Sequence, residues 1–234
     1  METIRNLYED MLLDLDYQKI KRRGMKGDEK LTAQYTLVGE DYRNCENRLL
    51  FIGRSVNGWE ADYCWDISQD FNNKSAHLKA NEIIEYWNKS NLEWVKTPLP
   101  GKKKRRESYP YWYLAKSLTK VLTNATNDNW IHKLAWSNLY KIAPRDGGNP
   151  WGSLCAAQLQ NARKILTYEL ETLKSTHVIF VTGADWFSDF EEVVSIAKDR
   201  LGFKSVVVSR PERRDARLSI FRKKKIAEAF GVEI

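Results

Sequence analysis

The chain lacks the long apolar segments and the cysteine pairs that define several classes of protein. No stretch approaches the roughly 18 apolar residues that a membrane-spanning helix needs. The N-terminal residues are mixed and acidic, so we expect neither a membrane anchor nor a signal peptide. The cysteines, Cys45, Cys64 and Cys155, lie far apart and form no Cys-x-x-Cys pair. They match neither a disulfide framework nor a common zinc site, so we expect a cytoplasmic protein.

Sequence motifs for nucleotide and metal cofactors are also absent. The chain has no Gly-x-x-x-x-Gly-Lys-Ser loop to hold a triphosphate and no Gly-x-Gly-x-x-Gly turn for a dinucleotide. The histidines, His77, His132 and His177, are scattered along the chain, which argues against a metal site built from them. We therefore expect no cofactor and no metal.

Positive charge is what the composition has in excess. The 234 residues carry a net charge of +7, and 42% of them are hydrophobic, enough for the core of one α/β domain. Residues 200–225 hold ten Lys or Arg against two acidic residues, a net +8. Two further basic blocks are residues 19–26 and 102–106. Clustered cations favour a polyanionic partner such as nucleic acid, although each block by itself can be a solvated surface.

Short apolar runs that end in polar turns predict buried strands. Residues 49–52, 178–181 and 206–208 are such runs, rich in β-branched side chains and separated by helical stretches. Runs of this kind suit a parallel sheet that is buried on both faces. In such a sheet the ligand crevice forms outside the carboxyl ends of the strands. Residues 134–139 predict a fourth strand, and the turns after these strands are where we look for function.

Helical periodicity fills the segments between the predicted strands. It predicts an N-terminal helical segment over about residues 1–30, in which residues 1–24 form a helix. Further helices are predicted at 80–94 and 218–230, one that begins at Pro110, and one for which Ser153 is the N-cap. The alternation predicts a single α/β domain over residues 1–234. We expect a three-layer helix–sheet–helix sandwich with a central, mainly parallel four-stranded sheet.

The order of the polar turns resembles the uracil-DNA glycosylase superfamily. In that family the first strand ends in a Gly-x-x-Pro-Gly or Gly-Gln-Asp-Pro-Tyr loop, where residues 53–59 read Gly-Arg-Ser-Val-Asn-Gly-Trp. A middle strand of the family ends in Thr-Asn-x-x-Lys-x-x-Pro, and Asn138, Lys141 and Pro144 keep that spacing. A late family loop reads His-Pro-Ser, where residues 209–211 read Ser-Arg-Pro. The resemblance covers about residues 47–215, and it implies a fold that binds an extruded base and hydrolyses its glycosidic bond.

The resemblance implies roles for individual residues. Asn138 takes the place of the asparagine that reads the pyrimidine edge, for which an amide offers both a donor and an acceptor. The alternative is that Asn138 only ends a strand and satisfies a turn. The position of the catalytic Asp or Asn holds Ser55, with Asn57 two positions later, and these two are the candidate catalytic residues. A serine hydroxyl is not a general base near neutral pH unless its pKa is lowered.

The remaining candidates come from the same turns. The candidate base-binding residues are Gly53, Arg54, Trp59, Asn138, Gly183 and Asp185. The candidate phosphate-binding residues are Lys141, Arg210, Arg213 and Arg214. Arg210 replaces the family histidine that supports the leaving base, and an arginine can hold an anion but cannot shuttle a proton.

Aromatic and acidic residues near these turns leave two interpretations open. Trp59, Trp186 and the tract 109–113 beside the basic block 102–106 suit stacking on bases, but they suit an apolar core equally well. Glu60, Asp62 and Asp66 are either displaced catalytic or cation-binding carboxylates or, as is more usual, solvated loop residues.

The sequence therefore predicts a DNA- or nucleobase-binding protein, with N-glycosidic hydrolysis by an altered loop as the activity that the resemblance implies. Two alternatives remain. One is a non-catalytic nucleic-acid-binding module on the same fold. The other is a small-molecule (nucleoside) enzyme whose basic tail is only solvated surface.

Overall fold

The apolar runs of the sequence form buried strands in the computed structural model, which describes residues 3–21, 29–56, 63–98, 101–211 and 216–233, with only the backbone for 216–221. The strands are β1 (Lys30–Ala33), β2 (Leu37–Val38), β3 (Leu49–Gly53), β4 (Trp65–Asp66), β5 (Leu134–Asn138), β6 (Ile142–Pro144), β7 (His177–Val181) and β8 (Lys204–Val208). The helices are α1 (Ile4–Leu13), α2 (Tyr17–Ile20), α3 (Asn73–Lys89), α4 (Pro110–Thr123), α5 (Gly152–Leu173), α6 (Ala184–Phe187), α7 (Glu191–Leu201) and α8 (Ala216–Phe230). The fold is mixed α/β, as the alternation predicts.

A five-stranded sheet has the order β2-β5-β3-β7-β8. The strands β3, β7 and β8 are parallel, and every residue of β3 and β7 is buried. The edge strand β2 is antiparallel to β5, with Leu37 opposite Trp136. The four strands predicted from the sequence are therefore neighbours, but the sheet has five strands of mixed direction. Because β2 is only two residues long, no alternation in the sequence reveals it.

A second sheet, which the sequence does not predict, is antiparallel and has the order β4-β1-β6. Leu31 of β1 pairs with Trp65 of β4 and with Pro144 of β6. The strand β4 has two residues, and β6 ends in a proline, which usually signals the end of a strand or a turn.

Several helix boundaries differ from the expectation. The single helix over 1–24 is wrong, because Asp14 ends α1 and Asp16 caps α2 by accepting a hydrogen bond from the backbone N–H of Gln18 at 2.8 Å. The helix α3 begins well before residue 80. Ser153 is not the N-cap of α5, since that helix already begins at Gly152; the hydroxyl of Ser153 donates to the carbonyl of Ile20 at 2.9 Å.

The chain divides into two units, each built from three segments. The first unit comprises residues 1–36, 54–89 and 138–169 and holds the antiparallel sheet; the second comprises residues 37–53, 90–137 and 170–234 and holds most of the five-stranded sheet. Since both units are discontinuous in sequence, the expectation of one domain over residues 1–234 stays a prediction. No helix in the described ranges is long and apolar enough to span a bilayer.

Candidate functional site

The predicted site residues divide between the two units. The residues Asn57, Trp59, Glu60, Asp62, Arg213 and Arg214 lie outside the described part of the chain. The first unit holds Arg54, Ser55, Asn138 and Lys141, and the second holds Gly53, Gly183, Asp185 and Arg210. Each group is described by itself below.

In the first unit the loop after β3 lies directly beside the segment that follows β5. The backbone N–H of Tyr140 donates to the carbonyl of Arg54 at 3.0 Å. Ser55 is only 8% exposed, and its hydroxyl donates to the amide oxygen of Asn149 at 3.3 Å. The structure thus brings Arg54 and the Asn138 segment together. The partner of Ser55 is an amide oxygen, which is too weak a base to remove the hydroxyl proton.

Asn138 is buried at the end of β5, and its side chain is hydrogen-bonded. Its amide N–H₂ donates to the side-chain oxygen of Gln34, which is also buried. Gln34 is held through its backbone, because its N–H donates to the carbonyl of Lys141 at 2.8 Å and its carbonyl accepts from the hydroxyl of Tyr8. The side-chain nitrogen of Gln34 has no hydrogen-bond partner within the described residues. Gln34 thus takes up one of the donors of the Asn138 amide, and the base-reading role stays a prediction.

Lys141 is fully buried and forms an ion pair with Glu169 of α5. The ammonium lies 2.7 and 2.9 Å from the two carboxylate oxygens, and it also donates to the carbonyl of Asn138 at 2.7 Å. The hydroxyl of Thr36 donates to the same carboxylate. Burial lowers the pKa of Lys141, and the negative charge of Glu169 opposes that lowering. A phosphate contact by Lys141 would require this pair to open.

Sequence reasoning missed Gln34 and Glu169, and only Glu169 leaves a signal. Glu169 lies four residues after Ile165 and three after Leu166, on the apolar stripe of α5. A carboxylate on a buried stripe needs a positive partner, which points to a buried cation elsewhere in the fold. Gln34 follows a strand that the sequence does not predict.

Asp66, the one described member of the predicted carboxylate group, belongs to the antiparallel sheet. It lies opposite Lys30, and their side chains form an exposed ion pair at 3.2 Å. Within the described residues no group of three or more His, Cys, Asp or Glu side chains is arranged to hold a metal ion.

In the second unit the parallel strands end side by side. In this sheet β3 and β7 are neighbours. The next strand of the sheet after β3 in sequence is β5, which lies on the far side of β3 from β7, and the next after β7 is β8, which lies on the far side of β7 from β3. Gly53 and Val181, which end β3 and β7, therefore mark a switch point of the kind where α/β sheets bind ligands. Gly183 has φ of 81°, a conformation that favours glycine, and its N–H donates to the carbonyl of Val208 at 2.9 Å. Asp185 is exposed in the short helix α6.

Arg210 follows β8 and lies against the first turn of α4. Its guanidinium carbon is 5.7 Å from the centre of the Tyr111 ring, a cation–π distance. The hydroxyl of Tyr111 accepts a hydrogen bond from the indole N–H of Trp136 at 3.0 Å, and its ring meets Phe51 edge-on at 5.0 Å. Burial raises the pKa of Tyr111, while the Trp136 hydrogen bond and the Arg210 charge oppose the rise. The Arg210 guanidinium therefore lies over a ring that residues of β3 and β5 hold in place.

Tyr111 belongs to an aromatic cluster that extends toward the basic block. Trp94, Trp112 and Trp136 meet edge-on, with ring centres 5.2 to 5.8 Å apart. Trp112 and Trp136 are 8% and 6% exposed, so both form core, which for Trp112 of the tract 109–113 is one of the two interpretations left open by the sequence. At the far end of the cluster the guanidinium of Arg106 lies 5.6 Å from the Trp94 ring centre.

Arg106 holds a short basic hairpin, which we define as the described residues 97, 98 and 101–106. Its guanidinium donates to the carbonyls of Trp94, Thr97 and Pro98 at 3.2, 3.2 and 2.8 Å and to the Thr97 hydroxyl at 2.8 Å. An antiparallel bridge joins Pro98 to Arg105, and Gly101 turns the chain with φ of 69°. Residues 102–105, which are Lys-Lys-Lys-Arg, are all exposed.

The basic C-terminal helix α8 has a buried cation and a run of exposed ones. Arg222 is buried, and its guanidinium donates to the carbonyl of Ser209 at 2.9 Å, next to Arg210. Residues 223–225, which are Lys-Lys-Lys, are exposed on α8. Of the cations in residues 200–225, Arg222 is therefore used within the fold, whereas residues 223–225 are open to solvent.

A cavity of about 370 Å³ lies in the second unit, and none of these candidates lines it. It is lined by Asp41, Asn47, Asn124 and Lys133 among others. These residues precede β3 and β5 or follow α4, so the cavity is not at the carboxyl ends of the parallel strands.

Comparison with family models and with curated proteins finds no match to this chain.

Proposed function

We propose that the protein binds nucleic acid through the second unit, on the surface that Arg210 and the basic hairpin form. One observation carries the proposal. Arg210 and Arg106, which are separated by about a hundred residues in sequence, lie at the two ends of one aromatic cluster. Cations from distant parts of the chain are therefore held on one region of the second unit.

The charges in this region fit a polyanion. The four exposed cations of the basic hairpin stand beside Glu107, whose carboxylate is already engaged by Lys116 at 3.0 Å and approached by Arg105 at 3.8 Å. Because Arg106 holds the hairpin backbone at Thr97 and Pro98, less backbone has to be ordered when a ligand binds. A phosphate backbone gains affinity from such a row by releasing counterions.

We propose that the protein is a divergent member of the uracil-DNA glycosylase superfamily. Its fold would then be a three-layer sandwich with a mainly parallel four-stranded core. Two observations support it. The strands β5, β3, β7 and β8 are neighbours in one sheet, and the Arg54 loop is hydrogen-bonded to the segment after Asn138. The proposal includes a cytoplasmic location, which the absence of a disulfide among the three described cysteines supports.

A salt titration of binding tests the proposal. We would measure fluorescence anisotropy of labelled single- and double-stranded DNA with the wild type and with a Lys102→Gln, Lys103→Gln, Lys104→Gln variant. Loss of three phosphate contacts should lower the slope of log affinity against log salt by about 2 to 3.

A variant with the same change in net charge provides the control. Lys74, Lys89 and Lys164 are exposed residues of the first unit, and replacing all three by glutamine should leave the slope unchanged. Wild-type affinity that does not respond to salt, or equal effects of the two variants, would refute the proposal.

N-glycosidic hydrolysis is a second candidate function, favoured by the Tyr140–Arg54 hydrogen bond that joins the two turns of the first unit. The test is incubation with duplexes that carry uracil, hypoxanthine or alkylated bases. Formation of abasic sites that is lost in Asn138→Asp and Ser55→Ala, with folding checked by circular dichroism, would support hydrolysis. No product from any of these duplexes would leave binding as the function.

A further inference from the structure

Among the aromatic side chains that the structure describes in the second unit, Tyr113 is the one most open to solvent. It is 58% exposed, whereas its neighbour Trp112 is 8% exposed. Among the large hydrophobic side chains that are exposed in the described residues, Tyr113 is the aromatic one. The helix α4 buries Trp112, Leu114 and Leu118 on its apolar face, and Tyr113 lies on the opposite side of the helix, which faces solvent.

The ring of Tyr113 belongs to the same surface as the basic hairpin. Lys116 lies three residues further along α4, and residues at this spacing are neighbours on one helix face. The ammonium of Lys116 binds the Glu107 carboxylate at 3.0 Å, and the other carboxylate oxygen lies 3.8 Å from the guanidinium of Arg105. Tyr113 therefore shares a helix face with Lys116, and Glu107 links Lys116 to Arg105 of the hairpin.

An exposed ring beside a row of cations can bind two parts of a nucleic-acid strand. The cations follow a phosphate backbone, and the ring offers a flat apolar face on which a base can stack. In a duplex the base faces are covered by their neighbours, so only an unpaired base can use the ring. The alternative role for a tyrosine, packing in the core, does not apply at this exposure.

We propose that the basic hairpin and Tyr113 together bind a single strand of nucleic acid, with one base stacked on the Tyr113 ring. This deepens the nucleic-acid binding proposed above and rests on it. The chemistry is shared by single-stranded DNA and RNA, so the experiment includes both.

The test compares Tyr113→Ala with Tyr113→Phe in the full chain, using labelled oligothymidylate, labelled oligouridylate and a DNA duplex. Tyr113→Ala should weaken binding of the single strands by roughly fivefold to a hundredfold. It should leave the duplex affinity and the salt slope unchanged, since the ring makes no charge contact. Tyr113→Phe keeps the ring and should bind like the wild type. A larger loss for oligothymidylate or for oligouridylate would identify the strand that is preferred.

Two controls separate stacking from other causes. Val121→Ala alters another half-exposed residue of α4 and should change no affinity. An oligonucleotide of abasic sites keeps the phosphates but has no base, so the wild type and Tyr113→Ala should bind it equally.

The outcomes separate this inference from the proposed function. If the wild type binds no nucleic acid, the proposed function fails. If the wild type binds with a steep salt dependence but Tyr113→Ala binds oligothymidylate and oligouridylate as tightly, only the stacking inference is overturned. An equal loss on the duplex and the single strands, or a loss in Tyr113→Phe as large as in Tyr113→Ala, also overturns it.

Discussion

Removing the charge of Glu169 should destabilise the protein strongly, because it leaves the ammonium of Lys141 buried without a counter-charge. Glu169→Gln keeps the shape of the side chain and an oxygen that can accept from Thr36 and Lys141. The exposed fractions of Lys141 and Glu169 are 0% and 2%, so water cannot replace the lost charge. Breaking a buried pair in this way costs about 3–5 kcal/mol.

The titration of Lys141 sets an upper limit on that cost. At pH 7 the buried ammonium can release its proton instead, and bringing a lysine to its neutral form there costs about 5 kcal/mol, since its ordinary pKa is about 10.4. Burial already lowers the pKa of Lys141, and loss of Glu169 removes the charge that opposes the lowering. The unfolded state of Glu169→Gln then binds more protons than the folded state, so its stability should rise with pH toward about 10.

Urea unfolding at several pH values measures both effects, and two further variants control the interpretation. Lys141→Met with Glu169→Leu removes both charges and should recover most of the loss, since an apolar pair avoids desolvation. Glu171→Gln breaks an exposed ion pair, in which Glu171 is 42% and Arg200 is 55% exposed, and should cost at most about 1 kcal/mol. The reasoning is refuted if Glu169→Gln costs no more than Glu171→Gln, or if the double variant is less stable than Glu169→Gln.

Two further predictions concern residues of the second unit. Burial lowers the pKa of His177, so the unfolded state takes up the proton at higher pH than the folded state, and stability should fall as the pH drops below about 6.5. His177→Gln should remove this part of the pH dependence, as measured by urea unfolding between pH 7.5 and pH 5. An unchanged profile would contradict the prediction. Gly39→Ala should cost about 3 kcal/mol, because a Cβ there would lie 2.3 Å from the carbonyl oxygen of His132, which is backbone and cannot move away cheaply. Gly152→Ala, where a Cβ meets nothing within 4 Å, is its control, and equal thermal midpoints for the two variants would contradict the prediction.

Elements with a strong local pattern could be predicted from the sequence. The apolar runs at 49–52 and 178–181 became β3 and β7, and Pro110 begins α4 as its position predicts. The antiparallel sheet could not be predicted, because the hydrogen bonds of β4 and β6 come from pairing with β1 and not from a periodic pattern of their own. Local signals do not encode pairing between segments that are distant in sequence.

For the candidate site too, features with a local sequence pattern were predicted and contacts between distant residues were not. The positions of Arg210 and Asn138 at strand ends were predicted, but their surroundings were not. Nothing local announces that Gln34 binds Asn138 or that Glu169 binds Lys141, since each partner lies far away in sequence. Arg106 is a clear example, because in the sequence it is one more cation of a basic block, whereas in the structure its hydrogen bonds fix the loop that presents the others.

The fixed backbone of the basic hairpin has a consequence for heat stability. Four like charges in consecutive positions repel one another, and a free loop would relax by spreading them apart. The hydrogen bonds from Arg106 to Thr97 and Pro98 limit that relaxation, so part of the repulsion persists in the folded state until an anion neutralises it. Adding a polyanion should therefore raise the melting temperature, and the gain should shrink as salt screens the same repulsion.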